Sequence, residues 1–142
     1  MKKILKIFFG PSKRRIRRKI NIQRVPIGFT IKEYQKKKKE FLEIAEDRMI
    51  FFNQFYNLEY KNISIRNQKT RWGSCSSKNN LNLNYRIFLL SDEMRDYVIV
   101  HELCHLKEMN HSRNFWNLVQ EQIPNYKNIR KEMKQYYFID RK

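Results

Sequence analysis

His101-Glu-Leu-Cys-His-Leu-Lys-Glu-Met-Asn-His111 contains all three histidines of a 142-residue chain. On an α-helix His101 and His105 share one face, about 6 Å apart along the axis, so imidazoles on successive turns can converge on one metal ion. Glu102 lies one residue round from His101, placed to reach a water beside the ion rather than the ion itself. This is the H-E-x-x-H pattern of zinc hydrolases, with the glutamate as general base.

A catalytic zinc takes three protein ligands and keeps a further position open. On an unbroken helix His111 would lie about 15 Å beyond His101 and roughly 80° off its face. It can join the site only if the helix stops and the chain turns back. Asn110 tolerates the left-handed conformation that ends helices, and Ser112 is a good N-cap for a new one, so a turn is predicted at His111. Glu108 competes as third ligand, being seven residues from His101 on the same face. It would lie about 4.5 Å further along the axis than His105, which favours His111. Isolated histidines usually serve packing or the surface, but three in one stretch with Glu102 point to a metal.

The length fits one domain with a real core. Hydrophobic residues at 41% and aromatics at 14% argue against disorder despite a net charge of +17. That charge is uneven. Residues 1–40 hold 15 Lys/Arg against 2 acids, and residues 41–142 hold 16 against 12. The basic excess is therefore an N-terminal feature, able to attract DNA or another polyanion or to serve as a solvated surface. No apolar run is long enough to cross a bilayer, and no signal peptide is expected before the basic run. Cys75 and Cys104 make no disulfide framework, Cys104 reads as a small buried hydrophobe, and a reducing cytoplasm is the expected location.

Along the chain, Ile20 to Gln23 alternate as a short strand would, and Pro26 and Gly28 then break the pattern. Thr30 and Glu33 form a capping box. Tyr34, Phe41, Leu42, Ala45, Met49, Phe52 and Tyr56 follow at helical spacing, so one amphipathic helix is predicted over residues 31–56. From Tyr60 the period falls to two, giving strands at 61–67, 71–76 and 81–87 with a polar turn at 77–80. Ser91 caps the helix that carries the histidines, with Asp92 and Glu93 suiting its dipole. Its apolar body predicts burial, where ionisable side chains are costly unless partnered, and a metal supplies a partner. Ser112 starts another helix ended by Pro124, and a last helix is predicted over 125–138.

Lys69-Thr-Arg-Trp-Gly-Ser-Cys-Ser-Ser77, Leu81-Asn-Leu-Asn84, Val100-His-Glu-Leu-Cys-His105, Asn110-His-Ser112 and Phe115-Trp116 closely resemble the YgjP-like metallopeptidase family, a relative of the SprT-like and WLM zinc proteases. The resemblance covers roughly residues 60 to 125, with several motifs in order. It implies a minimal zincin fold, one zinc at His101, His105 and His111, and Glu102 as catalytic base.

The expected fold is α+β. A small, mostly antiparallel sheet packs with a long N-terminal helix, the metal helix and C-terminal helices. Residues 1–28 are expected to form a basic arm or edge strand, and 29–142 a single metallopeptidase-like domain. The expected activity is zinc-dependent hydrolysis of a peptide or protein. Trp72, Gly73, Ser74, Cys75 and Asn84 are candidate substrate-binding residues, since backbone groups of Arg71 to Ser76 can align a peptide as an added strand. Tyr85 and Arg86 are near enough in motif order to join them. Two other readings stand beside this one: a nucleic-acid-associated protein with a structural metal, and a hydrolase of non-peptide substrates.

Overall fold

The computed structural model describes residues 25–139. Most of the basic arm, including the alternation at Ile20 to Gln23, lies outside them. The end of the arm belongs to the folded unit. Val25–Ile27 (β1) pairs in parallel with Tyr136–Phe138 (β5), so the two ends of the described chain lie side by side.

Ile31–Tyr56 forms one helix (α1). Thr30 Oγ1 accepts from Glu33 N at 3.2 Å while Glu33 Oε2 accepts from Thr30 N at 2.8 Å, so both partners of the capping box are in place. Phe41, Ala45, Met49 and Phe52 fall on one face and are buried. Asn57 ends the helix in the left-handed conformation, with φ at 51°.

Asn62–Arg66 (β2), Gly73–Cys75 (β3) and Asn80–Asn84 (β4) make a three-stranded sheet in the order β2-β4-β3. β3 and β4 form an antiparallel hairpin, turned by Asn79 at φ 60°. β2 pairs with the other edge of β4, and that pairing is parallel. The sheet is mixed, where period-two alternation had suggested a mostly antiparallel one. The reason is the segment 67–72, which carries the chain across β4 before β3 begins. Alternation still sorts the faces: Ile65, Leu81 and Leu83 are in the core.

The third strand was expected to run to 87 and stops at Asn84. Its side chain accepts from Arg86 N at 3.2 Å and opens a 3₁₀ turn, Tyr85–Leu89. Tyr85 and Arg86 thereby enter the interior, at 0% and 1% exposure. Arg86 donates to the carbonyls of Ile27 (3.1 Å), Gln68 (3.2 Å) and Ile139 (2.8 Å) and to Asn67 Oδ1 (2.8 Å). One guanidinium thus ties the β1–β5 pair to the segment leading into β3. Tyr85 Oη accepts from Phe29 N at 2.8 Å. Both residues hold the fold together rather than face a substrate.

Asp92–Cys104 (α2) runs through the centre, capped by Ser91, whose Oγ accepts from Met94 N at 3.3 Å. Arg48 of α1 holds it through a two-pronged pair with Asp96, at 3.0 and 2.7 Å. Arg113–Gln122 (α3) and Tyr126–Met133 (α4) follow. The last helix ends at Met133, short of the expected 138, because Tyr136–Phe138 pair with β1 as β5. Aromatic residues suit a strand, and Phe138 packs edge-on against Trp72 at 4.5 Å.

Candidate active site

α2 stops at Cys104, and His105 is its C-cap. The N–H groups of Lys107 and Glu108 both reach the Cys104 carbonyl, at 3.1 and 3.0 Å. His105 Nδ1 lies 2.9 Å from the Glu108 carbonyl. The turn is thus closed by backbone bonds and by one of the histidines. Asn110, expected to end the helix in the left-handed region, is not among the positive-φ residues, which among the described residues are Asn57 and Asn79. Ser112 Oγ accepts from Phe115 N at 3.3 Å and starts α3, leaving His111 in the turn between the helices.

The three Nε2 atoms form a nearly equilateral triangle: His101 to His105 3.2 Å, His105 to His111 3.1 Å, His111 to His101 3.1 Å. Ligand nitrogens about 2.05 Å from a tetrahedral zinc stand about 3.3 Å apart, so the cluster fits such an ion. The second nitrogens are occupied in the same sense. With Nε2 free of a proton, Nδ1–H of His105 donates to the Glu108 carbonyl, and Nδ1–H of His101 to Tyr97 Oη at 3.3 Å. Partners of this kind fix ring orientation and aim the Nε2 lone pairs. Glu108 therefore serves through its backbone. Its carboxylate is outside the group of potential ligands.

Aromatic rings hold the cluster from behind. Phe115 stacks on His105 at 4.4 Å, and Trp116 lies nearly parallel to His111 at 5.7 Å. Burial, followed by the neighbouring His105, His111 and Arg130, lowers the His101 pKa to about 3. Burial also lowers that of His105. Both imidazoles are therefore neutral at pH 7, the form that binds a metal.

Glu102 is 5% exposed. Burial pushes its pKa up to about 8, against an opposing pull from Arg71. Together with His101 it opens onto a cavity of about 220 Å³ walled by Arg71, Trp72, Gly73 and Tyr97. Gly73 and Cys75 lie on the core face of β3, opposite Leu83 and Leu81. A Cβ at Gly73 would stand 2.7 Å from Glu102 Oε1, so the missing side chain makes the carboxylate's space. Burial, then Glu102, raises the Cys75 thiol to about 11, which leaves it protonated at neutral pH. Ser74 points to the other face, accepting from Gln68 Nε2 and Asn82 Nδ2, each at 3.3 Å. Asn84 is fully buried and spends its amide on the carbonyls of Gln68 and Arg71, at 2.8 and 2.9 Å. It positions the approach to β3. Of the five candidate substrate residues, Trp72 and Gly73 line the cavity, and Ser74 and Asn84 face elsewhere.

From the sequence alone Tyr97 had no part in the site, and Phe115 and Trp116 entered it through the family motifs. Tyr97 could have been found, because it sits four residues before His101 on the same helical face.

The sequence profile of the YgjP-like metallopeptidase domain matches residues 29–136. The chain belongs to the YgjP-like metallopeptidase family. Among solved structures it is similar to the metallopeptidase zymogen abylysin of Pyrococcus abyssi, with 25% identity and a TM-score of 0.58. That match covers 67% of this chain and 99% of the other. The zymogen jannalysin of Methanocaldococcus jannaschii matches at 28% identity and a TM-score of 0.57, over 64% and 94%. Among curated proteins nothing matches. Membership implies a metal-dependent hydrolase of peptide or protein substrates. No helix among the described residues is long and apolar enough to cross a membrane.

Proposed function

We propose that this chain is a zinc-dependent peptidase in which His101, His105 and His111 hold the metal and Glu102 is the general base. The observation that carries the reading is the shared cavity. Glu102 and His101 open onto the same space of about 220 Å³, and the Nε2 triangle has edges of 3.1–3.2 Å. When bound, zinc supplies Lewis acidity that polarises a carbonyl and acidifies water. Glu102 accepts the proton from the attacking water and passes it to the leaving amine. Its raised proton affinity suits both halves of that cycle near neutral pH, and a bound cation lowers it toward the ionised form the first half needs. The peptide lies along β3, whose inner edge is taken by β4 and whose outer edge has no strand among the described residues. Backbone groups there align an added strand over Glu102. A cytoplasmic location belongs to the same proposal, supported by the free thiols of Cys75 and Cys104.

Glu102→Gln is the test. The amide keeps the shape and loses the base, so zinc content and thermal midpoint should hold while hydrolysis of a peptide library falls ~10²-fold or more. Wild-type turnover in that variant would remove Glu102 from the mechanism.

A further inference from the structure

A second hollow adjoins the candidate active site. It has a volume of about 380 Å³ and shares two walls, Trp72 and Tyr97, with the cavity of Glu102 and His101. The two spaces adjoin at these residues, within reach of one bound chain. The segment before β3 contributes Lys69, the end of α4 contributes Arg130 and Lys134, and β5 closes the far side with aromatic rings. Among the described residues its lining holds these three cations and no carboxylate. Among the described residues none of the three is in an ion pair. Asp96 pairs with Arg48 and Asp92 with Arg95, outside the hollow's lining.

Arg130 is pre-positioned. Its guanidinium lies 4.3 Å over the Trp116 ring, and Trp116 in turn stacks on His111. A stacked guanidinium keeps its N–H edge free for a planar acceptor and loses little freedom on binding one. The hollow thus offers a fixed fork and two mobile ammonium groups beside aromatic walls that suit an aliphatic stem.

We propose that this hollow is a carboxylate-recognising subsite of the same active site, resting on the peptidase reading and adding a substrate class to it. Peptides with a carboxylate a short distance from the scissile bond are the preferred substrates. That carboxylate is an Asp or Glu side chain or the peptide's own C-terminus. Lys69, Arg130 and Lys134 are the specificity-determining residues. A favourable charge pairing here also penalises a basic residue at the same place, which sharpens the selection.

The test is a binding titration on zinc-loaded Glu102→Gln protein with dye-labelled hexapeptides. One amidated set moves a single Glu through each position, a second carries Gln instead, and a third carries Gln with a free C-terminus. One register of Glu, or the free acid, should bind about tenfold more tightly than its amide counterpart. The set that shows the gain identifies the source of the carboxylate. Lys69→Glu/Lys134→Glu, a pair of exposed positions, should abolish the gain of acid over amide. Equal affinity of acid and amide in every register would overturn the proposal, as would a preference that survives the double reversal. A single-stranded oligonucleotide that outcompetes every acidic peptide, and loses binding with the same reversal, would assign the hollow to nucleic acid instead. Wild-type hydrolysis of the same peptides separates the two readings. Cleavage without acid preference sinks the subsite alone, and acid preference without any cleavage sinks the peptidase.

Discussion

Gly73→Ala adds one carbon at the point where β3 passes Glu102. Glycine is not needed there for backbone freedom, since no described glycine has positive φ. The objection to alanine is steric. The new Cβ would lie 2.7 Å from Glu102 Cγ and Oε1 and 2.9 Å from Cδ, where relaxed contacts begin at about 3.5 Å. Relief requires a carboxylate shift of roughly 0.8 Å away from β3, which takes Glu102 off the position it holds in the cavity shared with His101. A displacement of that size at a proton-transfer group costs ~10²-fold in turnover. Overpacking costs the fold about 1–3 kcal/mol. On the proposed histidine ligand set the metal should stay. Peptide hydrolysis, zinc content and thermal midpoint, measured side by side, should show a loss of kcat far larger than the loss of stability, with zinc unchanged. Turnover within twofold of wild type in a folded, zinc-loaded variant would refute the placing of Glu102 by Gly73.

Arg86→Leu removes a buried guanidinium that bonds the carbonyls of Ile27, Gln68 and Ile139 and Asn67 Oδ1 at once, and urea unfolding should show a loss of about 3 kcal/mol. A loss under 1 kcal/mol would show that Arg86 is not the tie between β1, β5 and the rest. In the chelated protein, Glu102 has a folded pKa of about 8 against an ordinary 4.5. Its neutral form is the one burial tolerates, so its stabilising share is complete below pH 4.5 and is lost as pH rises through 8. Metal-free wild type should therefore lose on the order of 4 kcal/mol relative to metal-free Glu102→Gln between pH 5 and pH 9. The acid-side loss from His101 is common to both proteins and cancels; parallel profiles would contradict the burial of the carboxyl.

Much of this architecture was legible because its signals are local. The capping box and the apolar recurrence after it fix α1 at Ile31–Tyr56, and Ser91 and Ser112 start their helices. What escaped reading depends on distant partners. The parallel pairing of β2 with β4 is decided by the path of segment 67–72, which alternation cannot report. Tyr136–Phe138 fit a helical spacing and became a strand because β1, more than a hundred residues earlier, offers an edge. At the site, spacing brought out His101 and His105, and the need for a turn brought out His111. The device that makes the turn was invisible, because the Glu108 carbonyl exists at every position in every sequence. Gly73 acts through the side chain it lacks, and its partner Glu102 lies on another element.

The central claim is that His101, His105 and His111 together hold one zinc ion. Elemental mass spectrometry of purified wild type, His111→Ala and Glu108→Ala measures it directly. The Nε2 triangle predicts about one zinc per chain in wild type and in Glu108→Ala, whose backbone carbonyl is intact, and loss of most of it in His111→Ala. A full complement of zinc in His111→Ala, or its loss in Glu108→Ala, would contradict the account.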